Sequence, residues 1–259
     1  MNKTIPALLT CLLITTIGVS QRELKPWKQW NRKEAEKVLN DSPWSHSQTE
    51  MTASQSTEVT SNFGDTRGRE DSARTTATSP SVTLQVRFFT ARPVRQAYVR
   101  MLELADPPPD PANIEKLEAW ANLAADDRII VALAYAGDQR AVGRAAGALR
   151  KTTTEDIKSS VFLERNDGKR VALAEYTPPG KDAFGARFTF PRTVGGQPFL
   201  SADSGTVRFH IEYTPTMQDT TATAQTNSRQ STPRADPYKL KLDMKFKVAE
   251  MMSGGTLEY

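Results

Sequence analysis

Lys239-Leu240-Lys241-Leu242-Asp243-Met244-Lys245-Phe246-Lys247-Val248 alternates polar and apolar residues over ten positions without a break. A period of two is what a β-strand presents to its two faces. Leu240, Leu242, Met244, Phe246 and Val248 fall on one face, and Lys239, Lys241, Asp243, Lys245 and Lys247 on the other. Such a strand covers a core on one side and meets water on the other, the habit of antiparallel sheets. The same alternation recurs upstream. Val207, Phe209, Ile211 and Tyr213 alternate with Arg208, His210 and Glu212; Ala186, Phe188 and Phe190 with Arg187 and Thr189; Val82, Leu84, Val86 and Phe88 with Thr83, Gln85 and Arg87. Val161 and Leu163 lead into Asn166-Asp167-Gly168-Lys169, a hairpin signal, and Val171 and Leu173 return. Ile129 to Ala136 is a continuous apolar run, as a central strand covered on both faces requires.

Between these strands the period changes to that of helices. Pro93 opens one helix with Val94, Ala97, Tyr98, Met101, Leu102 and Ala105 on a shared face, stopped by Asp106-Pro107-Pro108-Pro109. Asp110-Pro111 opens a second, with Ile114, Leu117, Ala121 and Ala124 turned inward, and Asp138 caps a third carrying Val142, Ala145, Ala146 and Leu149. The predicted class is α+β, a mostly antiparallel sheet with about three packed helices.

Before this domain, predicted over 82–259, the chain has three further parts. Residues 1–20 carry Lys3, an apolar run from Ile5 to Val19, and small residues at Gly18-Val19-Ser20, which predicts a signal peptide cut before Gln21. An uncleaved anchor is the alternative, although the run falls short of the ~20 residues of a spanning helix. Residues 21–44 hold a short helix, with Asn31 and Glu34 as capping pair and Trp27, Trp30 and Trp44 flanking it. Residues 45–81 are dominated by Ser, Thr, Gln and Glu, a composition that cannot bury enough apolar surface to offset its ordering entropy, so a disordered linker is expected. The same bias at 214–236 predicts a disordered insertion.

Composition narrows the chemistry. Cys11 is the single cysteine, so a chain cut after Ser20 forms no disulfide and has no thiol. The two histidines, His46 and His210, lack metal-ligand spacing, and no phosphate loop or Gly-x-Ser-x-Gly elbow is present, so no metal or cofactor is expected. The net charge of +4 is modest, with acids interspersed, and does not mark a nucleic-acid partner. Asp126-Asp127 and Glu155-Asp156 are acid pairs of the kind glycoside hydrolysis uses, or solvated caps beside Arg128 and Lys158.

Two candidate sites remain. Trp27, Trp30 and Trp44 either pin their helix to the body or offer a docking surface to a partner, tryptophan being enriched at interface hot spots. Lys239, Lys241, Lys245 and Lys247 either bind an anion, such as an envelope polymer, or simply form a solvent face or an edge strand blunted by lysine.

Lys25-Pro26-Trp27-Lys28-Gln29-Trp30 through Asn40-Asp41-Ser42-Pro43-Trp44, with Phe190-Pro191-Arg192, Gln197-Pro198-Phe199-Leu200, and Phe246-Lys247-Val248 through Gly255-Thr256-Leu257-Glu258-Tyr259, resembles a group of uncharacterised exported proteins of soil bacteria. Some of these carry a GWxTD-domain label. Here Gln29 stands for the glycine before Trp30, and Arg32-Lys33 for the Thr-Asp. The resemblance implies export and a Trp-flanked helical module, and it carries no catalytic residue. The sequence thus points to a non-enzymatic periplasmic or secreted protein with a binding or structural role. Its partner would be an envelope protein or anionic envelope polymer, and no membrane span would remain after signal cleavage. An extracytoplasmic carboxylate-dependent hydrolase is the alternative.

Overall fold

A computed structural model of the protein describes residues 25–51, 81–124, 127–180, 184–214 and 238–259. The predicted signal peptide and nearly all of the 214–236 insertion lie outside the described residues, as does the 52–80 part of the linker.

After a 3-10 turn at Trp27–Gln29 come α1 (Arg32–Asn40), β1 (Ser45–Met51) and β2 (Ser81–Phe88). Next are α2 (Arg92–Glu103), α3 (Pro111–Ala121), β3 (Arg128–Gly137), α4 (Gln139–Arg150) and the one-turn α5 (Thr154–Ile157). The rest is strand: β4 (Val161–Arg165), β5 (Arg170–Ala172), β6 (Glu175–Thr177), β7 (Ala186–Pro191), β8 (Thr193–Val194), β9 (Gln197–Pro198), β10 (Thr206–Tyr213) and β11 (Leu240–Lys247), with β12 (Met252–Ser253) and β13 (Thr256–Leu257) as a closing hairpin. The class is α+β, with every described strand pair antiparallel.

The expected single sheet is in fact two. One has five strands in the order β1-β2-β3-β7-β6, the other four in the order β11-β10-β4-β5. They stack through rings on their inner faces. Phe188 and Phe190 of β7 meet Phe209 of β10 at 5.4 and 6.4 Å, and Phe88 of β2 meets Phe246 of β11 edge-on at 4.9 Å. Register explains the layering: Val86 sits opposite Leu133, Val131 opposite Phe188 and Ile129 opposite Phe190, so all six face inward. Burying one such phenylalanine contributes roughly 1.5–3 kcal/mol; the five-stranded sheet brings Phe88, Phe188 and Phe190 and the four-stranded sheet Phe209 and Phe246. As expected, β3 is central to its sheet.

α1, α2 and α4 sit where their caps and apolar stripes predict; α3 ends at Ala121, its one buried residue, and Ala124, expected to face inward, lies beyond it and is exposed. Asn31 and Glu34 form a reciprocal capping box at the start of α1, and Asp138 accepts from the N–H groups of Arg140 and Ala141 at 3.0 Å each to open α4. α1 buries Ala35, Val38 and Leu39. Its C-terminal end is tied to β2: Arg87 Nε donates to the Leu39 carbonyl at 2.7 Å, and another guanidinium nitrogen to Asn40 Oδ1 at 2.9 Å. On the same body, Phe89, Tyr98 of α2, Trp120 of α3 and Phe184 form a four-ring cluster.

One boundary is corrected. The expected linker does not begin at residue 45, because Ser45–Met51 pairs residue for residue with Ser81–Arg87. The inward-facing residues of β1 are His46, Gln48 and Glu50, so no apolar alternation announces it. The pairing edge of β2 and two specific partners supply what its own pattern lacks. His46 stacks on Phe246 at 4.5 Å, and Glu50 accepts from the Tyr238 hydroxyl at 2.7 Å.

Candidate anion-binding face

The outer face of the four-stranded sheet carries the lysine row. Lys241, Lys245 and Lys247 lie on β11 with Lys239 just before it, and all four are exposed. Pairing register shows what stands beside them, which the sequence alone could not. Lys245 is opposite Arg208, Arg208 is opposite Glu164, and Glu164 is opposite Arg170. One row across the sheet therefore reads Lys245, Arg208, Glu164, Arg170, three cations to one carboxylate, over about 14 Å at normal strand spacing. The next row reads Asp243, His210, Phe162, Ala172, and Glu212 faces Lys241 beyond it.

Most carboxylates here are already engaged. Glu164 binds Arg170 and, at 3.0 Å, Arg208, while Asp243 takes Arg208 at 2.9 Å and His210 Nδ1 at 3.3 Å. Burial works to raise the Glu164 carboxyl, but the hydrogen bonds and charges of Arg170 and Arg208 prevail and hold it below the usual range. The Glu164 hydrogen bond leads in raising the Arg208 guanidinium. Lys239, at 3.0 Å, and Lys241, at 3.8 Å, share Glu212, whose carboxyl is lowered first by the Lys239 hydrogen bond. Asp243 therefore does not neutralise its lysine neighbours; it belongs to Arg208 and His210. Phe162 supports the arrangement, stacked on His210 at 4.7 Å with the Arg170 guanidinium 4.4 Å from its ring centre.

Lys245 is the exception. Among the described residues it has no ion pair, and its cross-strand neighbour is another cation, Arg208. Like charges directly opposite are destabilising unless something compensates them. Lys247 adds a further cation on the same face, holding only the exposed Glu250 at 2.9 Å. Period-two alternation had already placed Arg208, His210 and Glu212 on a polar face; Glu164, Phe162 and Arg170 lacked any signal linking them to it.

The tryptophans take a different place. Trp30 and Trp44 are each 3% exposed and belong to the core. Trp30 Nε1 donates to the Lys25 carbonyl at 2.9 Å, and Arg100 Nε donates to the Trp30 carbonyl at 2.7 Å. Trp44 Nε1 donates to the carbonyls of Glu258 at 2.9 Å and Met251 at 3.3 Å. Trp27 is half-buried beneath the Lys28 ammonium. Two of the three proposed docking rings are thus inside the molecule, and the helix is clamped to the body. The stretches that resemble the exported group meet at this corner. Arg92 pairs with Glu258 at 2.7 Å, the Arg192 guanidinium lies 4.0 Å from the Tyr259 ring centre, and the Tyr259 hydroxyl donates to Leu200 at 3.2 Å.

The Glu155-Asp156 pair serves local structure. Asp156 caps α5 through Thr153, Glu155 pairs with Lys158, and Asp127 is exposed; Asp126 lies outside the described residues. No group of three His, Cys, Asp or Glu able to hold a metal occurs among the described residues, and no described helix is long and apolar enough to cross a membrane.

No family model matches the chain, and no curated protein matches it. A crystal structure of a novel protein of unknown function from Burkholderia pseudomallei K96243 is similar over 62% of this chain and 74% of its own, at 14% identity and a TM-score of 0.34. That degree of similarity carries no functional argument.

Proposed function

We propose that this chain is an exported, non-enzymatic binding protein that holds an anionic partner against the outer face of its four-stranded sheet. Export rests on Lys3, the apolar run to Val19 and the Gly18-Val19-Ser20 site. The observation that carries the binding reading is Lys245, an exposed lysine set opposite Arg208 with no described carboxylate to share. An anion laid across that row gives Lys245 the partner it lacks, beside Arg208 and Arg170, whose charges Glu164 and Asp243 already offset. The Trp-flanked helix has the other role, a clamp on α2 and on β1 and β2 of the five-stranded sheet.

Two measurements test the proposal together. Protein purified from its native envelope or medium should begin at Gln21 by mass spectrometry; an intact Met1 terminus with membrane retention would overturn the cleaved, soluble mature protein in favour of an uncleaved anchor. On a resin carrying inorganic polyphosphate, the full chain should be retained at low salt. The double variant K245Q/K247Q should elute at clearly lower salt, because each lost phosphate contact weakens binding and flattens its salt dependence. Identical elution of the two proteins overturns the binding role.

A further inference from the structure

Resting on that anion-binding reading, we propose that the partner is an acidic polypeptide segment that adds to β11 as a fifth, extended strand of the four-stranded sheet. A sheet edge is a row of unpaired N–H and C=O groups, and proteins usually blunt it. Three of the four main edges here are closed to any strand by shortness or by inward polar residues, whereas β11 is guarded by its lysines alone, which turn away cationic and apolar strands but not an acidic one. β5 and β6 are three residues long, and β1 turns the polar His46, Gln48 and Glu50 inward. β11 runs eight residues in unbroken register with β10 and contains no proline.

Pairing geometry shows which groups that edge presents. The Val248 N–H donates to the Gly205 carbonyl at 2.9 Å, and these two residues continue the register that sets Thr206 opposite Lys247. They form a hydrogen-bonded pair, and such pairs recur at every second residue of an antiparallel ladder. On the far side of β10, the Glu212 N–H donates to Ser160 at 3.2 Å, which agrees with that phase. The main-chain groups of Leu240, Leu242, Met244 and Phe246 therefore face β10. Those of Lys241, Asp243, Lys245 and Lys247 face away, and no described strand takes them. The residues that offer free backbone at the edge are the ones that hold cations above it.

The lysines also choose the occupant. With a single Asp243 among them, a second copy of β11 sets lysine against lysine in any antiparallel register that overlaps the strand's length. An extended segment with acids at alternate positions sets carboxylates opposite Lys241, Lys245 and Lys247 instead, while its backbone completes the ladder.

A peptide of alternating Glu and Thr, about nine residues long, covers β11 at roughly 3.4 Å per residue. Added to the full-length protein, it should slow amide exchange at Lys241, Asp243, Lys245 and Lys247 by about tenfold or more, as burial in a ladder does. The segment adds antiparallel, as every described pair of this sheet does, so its Glu N–H groups point at β11 and its Thr N–H groups point away. N-methylation at Glu should weaken binding by about tenfold or more, whereas N-methylation at Thr leaves it nearly unchanged. Equal binding of all three peptides without amide protection sinks strand addition and leaves the face as an anion site. Failure of every peptide while polyphosphate still binds also sinks it alone, and failure of both probes sinks both readings. Protection of the four amides in the free protein, or protection that grows with protein concentration, shows the edge already taken by this chain or a second copy, and likewise overturns the proposal.

Discussion

β1 and β11 are both edge strands, one in each sheet, and they lie against each other through His46 on Phe246 and Glu50 with Tyr238. They are built on opposite principles. β11 buries Leu240, Leu242, Met244 and Phe246 in strict alternation, so its own pattern drives it onto the core. β1 has no apolar residue between Ser45 and Glu50, and becomes a strand because β2 offers it a pairing edge and Trp44 anchors its start. A strand specified by its own alternation tolerates charge on its outer face and can place it freely, as the lysine row does. A strand specified by its neighbours depends on each contact that holds it.

The contrast can be broken most forcefully at the anchor of β1. Trp44→Ala removes a ring that is 3% exposed and the donor to two carbonyls, and should cost about 3–5 kcal/mol in denaturant unfolding. A cost near zero would mean that β1 holds its place without the anchor. A smaller effect is expected where the two strands meet. Tyr238→Phe deletes the 2.7 Å hydrogen bond to the Glu50 carboxylate and should cost about 1–2 kcal/mol, whereas adding Glu50→Gln to that variant should change little more. Independent, additive losses would show that the pair is not coupled.

The smallest effect is set by pH. Burial lowers the pKa of His46 in the folded state, against the opposing charges of Asp41 and Glu250. The unfolded chain then binds the proton more readily, so stability contributed by neutral His46 is complete above about pH 6.5 and declines as pH falls from there towards the folded pKa. His46→Phe keeps a ring on Phe246 and should flatten that decline relative to the parent protein. An unaltered pH profile would show that the stack does not sense the proton.

The same two strands mark the limits of what the sequence made legible. β11, β10, β7, β2 and the hairpin of β4 and β5 were readable because their apolar residues repeat every second position and little else satisfies that pattern. The division into two sheets was not readable. Alternation states that Phe188, Phe209 and Phe246 each need cover, but not that they cover one another. β1 was hidden because Ser, His, Gln, Thr and Glu give the composition of a linker, and its order comes from partners 30 or more residues away in sequence. At the candidate face the lysines were visible, but their neighbours were not. Glu164 and Arg170 lie on strands whose register with β10 is a tertiary fact, and that register turns a row of lysines into a cationic track with one cation left over.

The indole of Trp44 closes on carbonyls 207 and 214 positions further along the chain. Contacts that distant bring no reward until a very large loop has been closed, and topologies dominated by them fold slowly. A growing or emerging chain that has reached β10 but not β11 has the inner faces of β1 and β2 in hand with nothing opposite Phe88 and no acceptor for Trp44. Commitment to the native sandwich is therefore expected late in folding, once the two remote ends of the described chain meet.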